Sequence, residues 1–130
     1  MDLEPLKRQL ATLRGGSFDK SSLENYKKTY EGQLKVLETQ KNQFTVKREQ
    51  KLGVLRPQIQ MSSEKRDQEG QRKFQEQYDE KEKFFKDEIQ DVDDGINLLR
   101  ETLRVIDVGL AKAQEDEERQ AKGDQDAPVA

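Results

Sequence analysis

One long run of regularly spaced apolar residues limits what this chain can fold into more than any other feature. The run follows steps of three and four residues, with Lys81 filling one position and one extra step of four after Phe85. Its apolar members are Phe74, Tyr78, Phe85, Ile89, Val92, Ile96, Leu99, Leu103, Ile106 and Leu110. Such spacing predicts a long amphipathic α-helix of the coiled-coil type.

The composition argues against a fold built around one thick core. Only 31% of the 130 residues are hydrophobic and 39% are charged, with a mean hydropathy of −1.16. Chains of this kind bury little apolar surface per residue, and long helices or coiled coils are typical of them.

Two further helices are predicted in the first half of the chain. A stripe of leucines that ends at Gly15 and Gly16 predicts a short amphipathic helix over residues 1–14. A second stripe runs from Leu23 to Leu52 and predicts a helix from about residue 20 to about residue 52. Residues 21–24 fit a capping box at its start, with Ser21 as the cap.

A chain reversal is predicted near residues 53–58. Gly53 and Pro57 bracket this segment, and a proline inside a helix costs about 3 kcal/mol. The reversal would leave Val54, Leu55 and Arg56 at the tip of a helical hairpin. The alternative is a proline kink within one continuous helix.

The charge distribution favours an antiparallel pairing of the two halves. Residues 1–60 carry a net charge of +5 and residues 61–130 a net charge of −8. In a hairpin with its turn at this point, the numbers of facing residues add to roughly 112, which places Leu37 opposite Phe74. The basic half would then lie along the acidic half, and charge would set the register.

These features together predict an all-α fold, an elongated antiparallel helical hairpin or coiled coil over residues 15–114. The short N-terminal helix either extends the first arm or folds back as a third helix. Residues 115–130 are acidic and without periodicity, and we expect them to form a disordered tail.

Several kinds of chemistry have no residues to carry them. The chain has no cysteine and no histidine, which removes thiolates, disulfides and the commonest general base and metal ligand. We therefore expect no catalytic residues, no metal, no cofactor and no enzymatic activity. No segment is apolar enough to insert into a membrane, and the N-terminus lacks a signal-peptide pattern, so the predicted location is the cytoplasm.

Two surfaces are candidates for binding protein partners. The first is the predicted tip, formed by Val54, Leu55 and Arg56. The second is a widened apolar face on the long C-terminal helix, suited to a partner helix or to self-association as a dimer or higher oligomer. Its predicted members are Phe84, Leu98, Leu99, Leu103 and Val105.

The function predicted from these observations is a non-enzymatic coiled-coil scaffold or adaptor that presents a helical rod and its tip to protein partners. One alternative is a stalk-like or chaperone-like component of a larger machine. In general architecture the predicted hairpin is similar to the long helical hairpins of flagellar and type III secretion ATPase stalks and of tubulin-binding cofactors. The other alternative is nucleic-acid binding through the basic residues of 35–56, although pairing with the acidic arm is the stronger interpretation of that segment.

Overall fold

Three α-helices make up the fold in the computed structural model, which describes residues 1–125 of the chain. Helix α1 spans Glu4–Gly15, α2 spans Lys20–Glu64 and α3 spans Gln68–Gln125. Within this described range there is no β-strand. The predicted all-α class is therefore confirmed. Within the same range, no helix combines the length and the apolar character that a membrane span requires.

The chain reverses at residues 65–67, and the predicted turn at 53–58 is wrong. Helix α2 continues through Pro57 to Glu64, so Val54, Leu55 and Arg56 lie inside it. Proline at this position removes one backbone hydrogen bond, the one to the carbonyl of Gly53 four residues earlier. The helix persists because Leu52 and Leu55, in the turns before the proline, are both buried, and the burial of these apolar side chains offsets the local cost.

The turn itself is closed by backbone geometry and one carboxylate. Arg66 adopts φ of 55°, the left-handed conformation that ends many helices. The amide of Asp67 donates to the Ser62 carbonyl at 2.8 Å, and that of Arg66 to the Ser63 carbonyl at 3.2 Å, the paired bonds of a Schellman motif. Asp67 then caps α3, because its Oδ1 accepts the Gly70 amide at 3.0 Å.

The helices form two compact units. The turn unit comprises Met1 with residues 36–94, and the three-helix unit comprises residues 2–35 with α3 from Gly95 onward. In the turn unit, α2 and α3 pack antiparallel around the 65–67 turn. Their buried apolar side chains are Leu37, Leu52, Leu55, Phe85 and Val92.

The register of the turn unit differs from the predicted one. Lys41 pairs with Asp93, and the guanidinium of Arg56 lies 6.0 Å from the centre of the Tyr78 ring. The numbers of each pair add to 134 rather than to about 112, because the reversal comes about ten residues later than predicted. Leu37 and Phe74 are therefore too far apart along the helices to face each other.

In the three-helix unit, α1 folds back as a third helix. Arg14 Nη2 donates to Glu101 Oε1 at 2.9 Å, which ties α1 to α3, and Leu10 and Leu13 of α1 are buried. Lys27 pairs with Asp107 at 2.9 Å, so the first part of α2 also lies along α3. Of the two predicted arrangements for the N-terminal helix, the folded-back one is the one observed.

The start of α2 is capped by Asp19 rather than by the predicted Ser21. The Oδ1 atom of Asp19 accepts the Ser22 amide at 2.9 Å, and its carbonyl accepts the Leu23 amide. The Ser22 side chain and amide both donate to this carboxylate and hold the pKa of Asp19 below its ordinary value. Sequence reasoning selected the wrong member of a polar run that offers three capping residues, Asp19, Ser21 and Ser22.

Helix α3 extends into the segment predicted to be a tail. Residues 115–125 are helical, and Lys20 pairs with Glu117 at 3.4 Å. Glutamate, arginine, glutamine and alanine dominate residues 115–121, and all four are good helix formers. The start of the predicted disordered segment 115–130 is therefore corrected, while its last five residues lie outside the described part of the chain.

Candidate interaction surfaces

The three residues predicted to form the tip have different environments. Leu55 is buried against α3, whereas Val54 is 62% exposed on the other side of α2. Arg56 is exposed, and its guanidinium is held by Glu49 Oε2 at 3.4 Å and by the Tyr78 ring. The structure thus leaves Val54 as the one apolar side chain of this set that another molecule can contact.

The residues of the predicted apolar face on α3 also differ in their exposure to solvent. Phe84, in the turn unit, is 55% exposed, and its ring lies edge-on to the ring of Phe85 at 5.3 Å. In the three-helix unit Leu99 is completely buried, so it belongs to the core of that unit. Leu98, Leu103 and Val105 are half-buried. A docking role for these residues stays a prediction.

A surface that the sequence reasoning missed lies on α2 within the turn unit. Eight residues follow one another at steps of three or four, which places them on one side of the helix, away from the buried Leu37, Leu52 and Leu55. All eight are exposed and none is charged. We call this surface the α2 outer face, and its members are Val36, Thr39, Gln43, Val46, Gln50, Val54, Pro57 and Met61.

The apolar members of this face are unusually accessible for a helix whose other side already packs against α3. Val36 is 56% exposed, Val46 55% and Met61 52%, comparable with Val54. Single exposed apolar residues are ordinary, but these four lie along one side of the helix and, with the uncharged side chains between them, form a continuous uncharged surface. The signal available from sequence was weak, because half of the eight positions are Thr, Gln or Pro.

Two lysines border the α2 outer face along one edge. Lys47 and Lys51 are exposed, and each lies three or four positions from a member of the face. In the described part of the chain, neither of these ammonium groups forms an ion pair or hydrogen bond. The nearby acid Glu49 is occupied by Arg56 on one oxygen and by Arg48, at 3.7 Å, on the other. This edge of the face is therefore net positive.

Three other basic residues of segment 35–56, Lys41, Arg48 and Arg56, form contacts inside the turn unit. Lys41 pairs with Asp93 at 2.7 Å and Arg48 with Glu82 at 3.3 Å. These contacts agree with the interpretation that the segment pairs with the acidic helix. Fewer cations are left for phosphate groups, which weakens the case for a nucleic-acid site there.

A cavity of about 320 Å³ lies in the three-helix unit where α1 is connected to α2. Its floor includes Leu13, Leu23 and Ile106, and its polar groups are Ser17, Lys112 and Asp116. In the described structure no hydrogen bond joins these polar groups to one another. The arrangement is that of a gap between helix ends. Among the described residues there is also no cluster of three acidic side chains able to hold a metal ion.

A charge cluster fixes α1 on α3 in the same unit. Glu101 accepts hydrogen bonds on both carboxylate oxygens from the guanidinium of Arg104, three residues on, and a further one from Arg14. Arg104 first, and Arg14 second, lower the pKa of Glu101 from 4.5 to about 2. The hydrogen bond from Lys27 to Asp107 raises the pKa of the lysine above its ordinary value. Both sets of contacts serve helix packing.

Comparison with models of known protein families, with curated proteins and with solved structures yields no match to this chain.

Proposed function

We propose that this protein is a non-enzymatic helical interaction module, a scaffold or adaptor that binds protein partners through the α2 outer face. The observation that carries the proposal is the exposure of Val36, Val46, Val54 and Met61, each by more than half, along one uncharged side of a helix. A partner helix placed along such a surface can bury these side chains at the three-and-four spacing that helix-in-groove recognition uses.

The rest of the turn unit supports the proposal by holding this surface in place. Leu37, Leu52 and Leu55 anchor the opposite side of α2 against α3. A partner then meets a helix that is already ordered, so little conformational entropy is lost in forming the contact. Pro57 belongs to the face and adds a rigid apolar ring to it.

A capture experiment in cells tests the proposal. The double variant Val46→Asp/Val54→Asp places two carboxylates in the middle of the α2 outer face and leaves every buried residue unchanged. Proximity labelling or crosslinking is expected to recover partner proteins with the wild-type chain and to lose them with this variant. A matched variant, Thr45→Asp/Asn97→Asp, adds the same charge at exposed positions off the face and is expected to retain them.

The outcomes separate the proposal from its rivals. Identical sets of captured proteins for the wild type and Val46→Asp/Val54→Asp, with helicity unchanged by circular dichroism, would show that the α2 outer face carries no partner. Retention of RNA or DNA by the purified chain, fading steeply with salt, would favour the nucleic-acid alternative. A stalk-like role and the predicted cytoplasmic location stay predictions, the latter to be checked by cell fractionation.

A further inference from the structure

The exposed Phe84 on α3 offers a surface complementary to the α2 outer face. On a helix, the neighbours of Phe84 lie three and four positions away. Of these, Glu80, Asp87 and Glu88 are acidic and Lys81 is basic. Glu80 and Asp87 are exposed, and in the described part of the chain neither forms an ion pair or hydrogen bond. We call Phe84 with these two carboxylates the Phe84 patch.

The two surfaces match in apolar content and in the sign of their charge, since the carboxylates of Glu80, Asp87 and Glu88 outnumber the ammonium groups of Lys81 and Lys83 around Phe84. The α2 outer face presents valines and a methionine beside two lysines that have no partner within the described chain. The Phe84 patch presents an aromatic ring with one such carboxylate a turn before it and another a turn after it. Both surfaces belong to the turn unit, so every copy of the chain carries both. When the Phe84 patch of one copy lies on the α2 outer face of another, the carboxylates that flank Phe84 meet Lys47 and Lys51 at the edge of that face.

We infer that the partner of the α2 outer face is a second copy of this chain, which seats its Phe84 patch there. This inference rests on the proposed function, because it names the occupant of the same surface. The contact is heterologous, since one surface of the first copy meets a different surface of the second. Such contacts close into a ring or continue into a longer assembly. A single aromatic side chain on a narrow face makes a small interface, so the association is weak, with a dissociation constant of about 10–100 µM.

Sedimentation velocity of purified chain tests the inference. The weight-average mass is expected to stay near 15.1 kDa at low micromolar concentration and to rise several-fold as the concentration reaches the high micromolar range. Because lysine–carboxylate pairs contribute to the contact, the rise is expected to shrink when salt is added. A mass that stays at the monomer value throughout would overturn the inference.

Charge reversal on each surface identifies which residues meet. Lys47→Glu/Lys51→Glu and Glu80→Lys/Asp87→Lys are each expected to remain monomeric at concentrations where the wild type associates. An equimolar mixture of the two variants is expected to regain association, because the native α2 outer face of the second variant meets the native Phe84 patch of the first, and the two reversed surfaces also match each other in charge. The control Lys28→Glu/Lys122→Glu makes the same change in net charge as the lysine reversal, at exposed residues of the three-helix unit, and is expected to associate like the wild type.

The remaining outcomes are also decisive. Self-association of both reversed variants at the wild-type level, or a mixture that stays monomeric, would overturn the assignment of the surfaces. A monomeric wild type that binds vesicles of phosphatidylcholine containing one-fifth phosphatidylserine would assign the α2 outer face to a lipid surface instead. If the wild type is monomeric but the cellular capture still depends on Val46 and Val54, the second-copy inference fails and the proposed function stands.

Discussion

The Nζ atom of Lys41 lies 2.7 Å from the Oδ1 atom of Asp93, which joins α2 to α3 within the turn unit. Together with the contact of Arg56 over the Tyr78 ring, this pair sets the antiparallel register. Exposed ion pairs contribute little stability by themselves, so their main role here is to select one alignment of the two helices. The apolar stripe of Leu37, Leu52 and Leu55 decides which side of α2 is buried and therefore which side faces outward.

Truncating the buried side of α2 should destabilise the protein far more than truncating the outward side. Leu52 is completely buried, and Leu52→Ala is expected to lower the free energy of unfolding by about 2–5 kcal/mol, because it leaves a cavity against α3. Val54→Ala, two residues on, is expected to change it by less than about 0.5 kcal/mol. Urea denaturation followed by circular dichroism measures both. Equal effects would mean that α2 is rotated relative to the structure.

Replacing the proline inside α2 should stabilise the chain. Pro57→Ala restores an amide that can donate to the Gly53 carbonyl and removes the clash of the ring with that carbonyl, so we expect a gain of up to about 3 kcal/mol. Thermal unfolding measures the gain. A true turn at 53–58 would instead be loosened by this substitution, and a lower unfolding temperature would contradict the helical path through Pro57.

The left-handed residue of the turn provides a test of the 65–67 reversal. Arg66→Gly is expected to stabilise the protein by about 1 kcal/mol, because glycine adopts a φ of 55° without the steric cost that a side chain pays. The matched change Arg72→Gly, in the exposed part of α3, is expected to destabilise it by about 1 kcal/mol, as glycine does inside helices. Opposite signs in the two unfolding curves are the expected result, and two losses would contradict a turn at Arg66.

Acid should weaken the contact between Arg14 of α1 and Glu101 of α3. The arginines beside Glu101 depress its pKa to about 2, below the ordinary 4.5, so the folded state favours the ionised carboxylate. The stabilisation is therefore fully present above about pH 4.5 and is lost as the pH falls toward 2. Nuclear magnetic resonance titration of the Glu101 carboxyl measures the pKa directly. Arg104→Gln should bring it most of the way back to the ordinary value, and Arg14→Gln less so, whereas an ordinary pKa in the wild type would exclude the cluster.

The helical class and the antiparallel pairing could be predicted from sequence because both depend on features that repeat many times. The apolar run from Phe74 to Leu110 and the opposite charges of the two halves do not depend on any single residue. The position of the turn depends on a few. Pro57 has a high local cost, yet the burial of Leu52 and Leu55 outweighs it, and only the packed structure shows that burial.

The actual turn and the candidate surface lacked strong local signals. The reversal uses Arg66 where glycine is the usual residue, so the sequence carries no glycine at that point to mark it. The α2 outer face was missed because its apolar residues alternate with glutamines and a threonine, a weaker pattern than the buried stripe. Val54 was identified as exposed, but for the wrong reason, since it lies along the side of a helix and not at a tip.

The distance between α2 and α3 across the turn unit distinguishes the antiparallel pairing from one continuous helix. Spin labels on Arg48→Cys and Glu82→Cys, whose native side chains lie 3.3 Å apart, report this distance by double electron–electron resonance. The pairing described here predicts label separations of about 20 Å or less, since packed helix axes lie about 8–10 Å apart. A helix running straight through the 65–67 segment would place the labels about 50 Å apart at 1.5 Å per residue, and that result would contradict the fold and the outward orientation of the α2 outer face.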